Sequence, residues 1–243
     1  MRYLVICLTL LALLISLNCF GDCWWNDDFT GADGDPPNSD RWIETDVNNA
    51  MEIKSNALYF QESGPGAVFA SLMSKWVLPT GDFDIQLDFN PTILPDPING
   101  VNYAAVITIL NSDFSKNIYI GRAREGSFGG DGINGYVKYG TSDAWVMHNS
   151  AIDNGKLRIK RVGSTFIGYY WNDGEARWEW NGDTAGYTFT TTWSGDTYVN
   201  PWFEQEDDSS LESYMDNFTV TVGCGDEYIA PKLIMITKNK EIK

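Results

Sequence analysis

Gly155-Lys-Leu-Arg-Ile-Lys-Arg-Val-Gly-Ser-Thr-Phe-Ile-Gly-Tyr-Tyr-Trp-Asn-Asp-Gly174-Glu-Ala-Arg-Trp-Glu-Trp180 decides the fold of this chain. Leu157, Ile159 and, through its aliphatic stem, Arg161 share one parity; Arg158, Lys160 and Val162 share the other. Successive side chains of a strand point to opposite sides, so this alternation predicts a half-buried strand. Gly163-Ser164 is a tight-turn pair, and Thr165 to Trp171 reads as the return strand. Asn172-Asp173-Gly174 turns the chain again, and Arg177 to Trp180 begins a third strand. Three strands joined by short turns make an antiparallel meander, with aromatic residues crowded on the second and third.

The same grammar extends in both directions. Ala57 to Gln61, Val68 to Ser74, Asp82 to Phe89, Tyr103 to Leu110, Asn117 to Arg124 and Tyr136 to Tyr139 are short β-rich runs; Thr184 to Trp193 and Thr197 to Glu206 follow the meander. Turn clusters such as Ser63-Gly64-Pro65-Gly66 and Pro79-Thr80-Gly81 separate them. Gly126 to Gly135, with five glycines, reads as a surface loop without phosphate-loop spacing. Helix signals are nearly absent. The prediction from these runs is an all-β sandwich or barrel, and 243 residues suit one such domain.

Met1 to Gly21 reads as a secretory leader: Arg2 supplies the positive start, and Leu4 to Leu17 is an apolar run too short to span a bilayer comfortably. Cys19 offers a minor alternative, a lipid anchor. Residues 22–225 form the domain and 226–243 a basic tail, also too short to cross a membrane. The formal charge is −16. Arg2 lies in the leader, and the last sixteen residues hold four Lys against one Glu, so the body between carries 12 basic and 32 acidic residues. Such a surface repels phosphate backbones, which argues against nucleic acid as a partner.

The meander resembles that of concanavalin A-like lectin/glucanase jelly rolls, a superfamily that includes laminin G-like domains. Leu157, Arg158, Ile159, Arg161, Gly163, Thr165, Tyr169, Tyr170, Asp173, Gly174 and Trp178 carry the likeness. The opening Asp28-Phe29-Thr30-Gly31 and the closing Met215-Asp216-Asn217-Phe218-Thr219-Val220 extend it to both ends of the domain. The resemblance implies an all-β, two-sheet antiparallel jelly-roll β-sandwich with neighbouring first and last strands. With Cys7 and Cys19 in the leader, it thereby implies a Cys23–Cys224 disulfide in an exported chain. It also implies a structural calcium ion held by Asp28 and Asp216.

Catalysis finds little support. Laminarinase-type glucanases of this fold carry Glu-x-Asp-x-x-Glu on one strand, whereas Asp82-Phe-Asp-Ile-Gln-Leu-Asp88 carries no Glu and reads as a solvated strand face. His148, the single histidine, makes a triad or a zinc site improbable. Glu204 and Glu206 share a face and are the remaining weak acid–base pair. Binding is favoured. Tyr169, Trp171, Trp178, Trp180 and Trp202 are more rings than one core needs, and exposed rings stack on the apolar faces of sugars. Trp178 and Trp180, of equal parity, are expected on one face. The expected function is a secreted, lectin-like module whose partner is a polysaccharide or glycan. The alternatives are a glycoside hydrolase or lyase of the same fold, and an adhesive or structural surface module.

Overall fold

A two-residue turn closes the central hairpin. Gly163 adopts φ +60, the positive value that a tight hairpin turn requires at its first position, and Val162 pairs with Thr165 across it. The computed structural model describes residues 25–62, 66–78, 80–95, 100–125, 131–139, 142–149, 154–180, 183–193, 195–206 and 210–222. Among them the chain forms fifteen strands and no helix, so no helix is long and apolar enough to cross a membrane. In chain order they are β1 (Trp42–Asp46), β2 (Met51–Lys54), β3 (Ala57–Glu62), β4 (Val68–Ser74) and β5 (Phe83–Ile93). There follow β6 (Val101–Asn111), β7 (Lys116–Glu125), β8 (Asp131–Tyr139), β9 (Ser142–Asn149) and β10 (Gly155–Val162). The last are β11 (Thr165–Asn172), β12 (Arg177–Glu179), β13 (Tyr187–Thr190), β14 (Thr197–Gln205) and β15 (Leu211–Val222).

Two antiparallel sheets result. One has seven strands in the order β1-β4-β14-β6-β7-β8-β9. The other has eight, in the order β12-β11-β10-β5-β15-β3-β2, with β13 beside β12 along the outer edge of β11. This is the two-sheet jelly-roll β-sandwich that the resemblance implies, and the alternation of the strands sets its faces. Phe83, Ile85, Leu87 and Phe89 of β5 are buried while Asp84, Gln86 and Asp88 are partly exposed. Leu157 and Ile159 of β10 and Phe166 and Tyr170 of β11 continue that inner surface. The seven-stranded sheet answers with Ile107, Ile109, Ile118, Ile120, Val199 and Phe203. Rings join the layers: Phe60 of β3 stacks on Phe203 of β14 at 5.1 Å, and Trp42 of β1 meets Phe218 of β15 edge-on at 5.3 Å.

Three local differences from the sequence reading have physical causes. The run predicted as a loop over 126–135 is part strand, because Asp131–Gly135 pairs with β7. The opening strand reduces, in the described residues, to one bridge from Asp27 to Phe218. Trp178 and Trp180 do not share a face: β12 ends at Glu179, Trp180 pairs instead with Asp183, and its ring enters the core against Tyr187 at 5.2 Å.

Candidate functional site

The outer face of the seven-stranded sheet carries its own ring cluster, separate from the core. Alternation on four adjacent strands builds it, from Phe69 on β4, Trp202 on β14, Tyr103 on β6 and Tyr119 on β7. Trp202 lies at the centre, 5.5 Å from Phe69, 4.8 Å from Tyr103 and 5.7 Å from Tyr119, ring centre to ring centre. Its Nε1 donates to Thr108 Oγ1 at 2.7 Å, and the hydroxyls of Tyr103 and Tyr119 meet at 3.1 Å. The cluster needs a bare backbone at Gly121, where a Cβ would come within 2.7 Å of Val106 Cγ2. Phe69, 41% exposed, forms its solvent-facing ridge.

On one side of Trp202 lies a cavity of about 340 Å³, lined by Phe69, Ser71, Thr108, Asn117, Tyr119 and Asn200 among others. That is within the size range of small-ligand sites, roughly 300–1,000 Å³. Asn117 Oδ1 is buried and has no hydrogen-bond partner among the described residues.

Further along β14, Glu204 sits opposite Phe69 and Tyr103. Burial, and then the charge of nearby Glu206, push its carboxyl up to about 7. Glu206 is held differently. Its Oε2 accepts from the Val101 backbone N–H at 2.6 Å, and its own N–H donates to Asn102 Oδ1 at 2.9 Å. A Cβ at Gly100 would fall 1.5 Å from that Oε2, so glycine makes room for the carboxylate. The two carboxyls thus differ in environment. Glu204 is neutral over much of the acid-to-neutral range and can donate a proton; Glu206 accepts from the backbone.

The other ring residues singled out in the sequence lie elsewhere. Tyr169, Trp171 and Trp178 are on the outer face of the eight-stranded sheet. Trp171 meets Trp178 edge-on at 5.4 Å, and the Arg158 guanidinium lies 5.4 Å from the Tyr169 ring and 5.2 Å from that of Trp178. Tyr169 is buried and the two tryptophans are half-buried. Asp84 fixes Arg158 by accepting from its Nε at 2.8 and 3.0 Å. Of the five rings, the structure brings Tyr169, Trp171 and Trp178 together, places Trp202 on the opposite sheet and puts Trp180 in the core. Phe69, Tyr103 and Tyr119 escaped the sequence reading because they are dispersed over three strands. The parity of Trp202 relative to Phe203 was the available signal.

Asp28 and Asp216 come close enough that Asp216 is raised by burial, then by Asp88 and by Asp28. Among the described residues no group of three or more His, Cys, Asp or Glu side chains is arranged to hold a metal ion. The six to eight oxygens that calcium takes would therefore have to include backbone carbonyls and water beside these two carboxylates. Cys23 and Cys224, the leader and the tail lie outside the described residues.

No family model matches the sequence, and no curated protein matches it significantly. Solved structures do. One described among endo-acting O-glycanases of the human gut microbiota, acting in mucin breakdown, superposes with a TM-score of 0.58 at 11% identity, over 81% of this chain and 98% of that one. An immunostimulatory antigen and pseudo β-1,3-glucanase of Mycobacterium tuberculosis gives 0.56 at 13%, over 82% and 98%. A legume lectin-like domain from Entamoeba histolytica gives 0.52 at 11%, over 79% and 97%. At these identities the likeness shows the fold, which is concanavalin A-like.

Proposed function

We propose that this chain is an exported carbohydrate-binding protein whose glycan lies on the outer face of the seven-stranded sheet. One observation carries the reading: a continuous ring wall of Phe69, Trp202 and Tyr119 borders a 340 Å³ cavity lined also by the polar side chains of Ser71, Thr108, Asn117 and Asn200. A pyranose has an apolar face for the rings and hydroxyls for the polar side chains. The sugar-active and lectin-like character of the solved structures supports the same ligand class. Export rests on the leader read at Met1 to Gly21. A glycan array probed with the mature protein tests the reading. Binding is expected to weaken about tenfold in Phe69→Ala, the value of roughly 1.4 kcal/mol for one ring contact, without loss of folding. No binding to any arrayed glycan, or unchanged binding by Phe69→Ala, overturns it.

Glu204 favours hydrolysis as a second reading. A glycosidase needs a protonated carboxyl beside the leaving oxygen and a second carboxylate to activate water or attack carbon. Glu204 suits the first task near neutral pH and Glu206 the second. Two residues along a strand place the Cα atoms of Glu204 and Glu206 about 6.6 Å apart, and the charge of Glu206 reaches Glu204. The array's bound glycan, incubated with protein, is expected to shorten with wild type and stay intact with Glu204→Gln. An intact glycan with wild type leaves binding as the function.

A further inference from the structure

A second cavity, larger than the one beside Trp202, lies on the other sheet. A cleft of about 560 Å³ opens on the outer face of the eight-stranded sheet, between β11 at one side and β15 at the other. Trp171 and Tyr214 supply its rings. Its polar wall is a row in which donors and acceptors alternate. Lys156 Nζ donates to both oxygens of Asp88 at 3.0 Å. Asn217 Nδ2 donates to Asp88 Oδ2 at 3.1 Å and to Asp216 Oδ2 at 3.3 Å.

The composition of that row selects a ligand. A wall of carboxylates alone would call for a cation, and a wall of ammonium groups alone for an anion. Here Lys156, with side chain 44% exposed, retains ammonium hydrogens toward the cleft, and the carboxylates retain lone pairs. A hydroxyl both donates and accepts, so vicinal hydroxyls can bridge a lysine and a carboxylate. Trp171 is held from behind by Trp178, so its ring is fixed before any ligand arrives, and little side-chain entropy is lost on stacking. Asp88 and Asp216 stand against one lysine, which disfavours a ligand carrying carboxylate or sulfate.

We propose that this cleft is a second glycan site, specific for a neutral sugar, so that one chain holds two glycan strands on opposite faces of the sandwich. The proposal shares with the preceding reading only the ligand class; its residues are entirely different. A monovalent lectin fold would thereby cross-link polysaccharide without forming a dimer.

Fluorine NMR on protein labelled with fluorotryptophan separates the two faces, with resonances assigned from Trp171→Phe and Trp202→Phe. The probes are neutral hexasaccharides of glucose, mannose, galactose and N-acetylglucosamine, with a hexagalacturonate as the anionic control. At least one neutral hexasaccharide is expected to move the Trp171 resonance in a saturable way. Asp88→Ala should abolish that response and leave the Trp202 resonance responsive. The galacturonate should not move Trp171. A response at Trp202 alone overturns the second site and leaves the first. A response at Trp171 alone does the reverse. Silence at both overturns both, and an equal response to galacturonate overturns the specificity for neutral sugars.

Discussion

Asp27 and Phe218 exchange both backbone hydrogen bonds, Asp27 N–H to Phe218 O at 2.8 Å and Phe218 N–H to Asp27 O at 2.9 Å. The beginning and end of the domain are therefore antiparallel neighbours, and Asn26 Oδ1 extends the contact by accepting from Val220 N–H at 2.8 Å. The junction is sealed from inside, where Trp42 donates Nε1–H to Asp27 Oδ2 at 2.7 Å and packs on Phe218. The sandwich is closed by its own termini.

Cys23 precedes Asp27 by four residues and Cys224 follows Phe218 by six, so a disulfide between them is the first prediction. Mass spectrometry of the exported protein is expected to find them linked. Reduction should cost about 5 kcal/mol in the chain-entropy account, since the loop closed is long. Two free thiols in exported protein would refute the link.

Calcium is the second. If Asp28 and Asp216 hold the ion, it removes the repulsion from Asp88 and Asp28 that adds to burial in raising Asp216. Chelator should then lower the melting temperature of wild type and leave Asp216→Ala unaffected. Identical wild-type melts with and without chelator dispose of the ion.

The third concerns Arg158, whose fork on Asp84 and contacts with Tyr169 and Trp178 fasten β10 to its neighbours β5 and β11 and, through Trp178, to β12. Asp84 is only 17% exposed in its side chain, so removing its partner strands a charge in a poorly solvated place. Arg158→Leu is expected to cost about 2–3 kcal/mol in urea unfolding. Arg158→Lys, which keeps the charge but loses the planar fork, should cost less. Adding Asp84→Leu to Arg158→Leu should restore part of the loss; equal losses in all three variants would show that packing alone is at stake.

Much of the fold was legible because period-two alternation is a local signal. Phe83-Asp84-Ile85-Gln86-Leu87-Asp88-Phe89 states which face is buried without reference to any other strand, and the structure buries that face. The ring sites were less legible, for two reasons. Whether Trp180 follows Trp178 onto the surface depends on where β12 stops, and the bridge to Asp183 decides that, not parity. The cluster of Phe69, Tyr103, Tyr119 and Trp202 depends on strand order β4-β14-β6-β7, which brings together residues more than a hundred positions apart. Glu204 was visible as half of a Glu-x-Glu pair. Its lowered acidity was not, because burial between Phe69 and Tyr103 follows from that same strand order.

Glu204 supplies the final prediction, a pH dependence of stability whose sign is fixed by the direction of the shift. Its folded carboxyl titrates near 7, above the ordinary 4.5 of the unfolded chain. Between those values the folded state holds a proton that the unfolded state has lost, so stability declines as pH rises through this window. It is fully present below about 4.5 and has gone above about 7. Each unit of difference corresponds to about 1.4 kcal/mol, so the full decline is at most on the order of 3 kcal/mol, and less because the side chain is only partly buried. Glu204→Gln carries no titrating group and mimics the neutral form. It should match wild type in acid and exceed it in stability above neutrality, with the difference growing across the window. Chemical denaturation at a series of pH values measures this directly. A constant difference between the two proteins across the whole range would mean that Glu204 titrates as an ordinary surface carboxylate, and would remove it as a proton donor in the second functional reading.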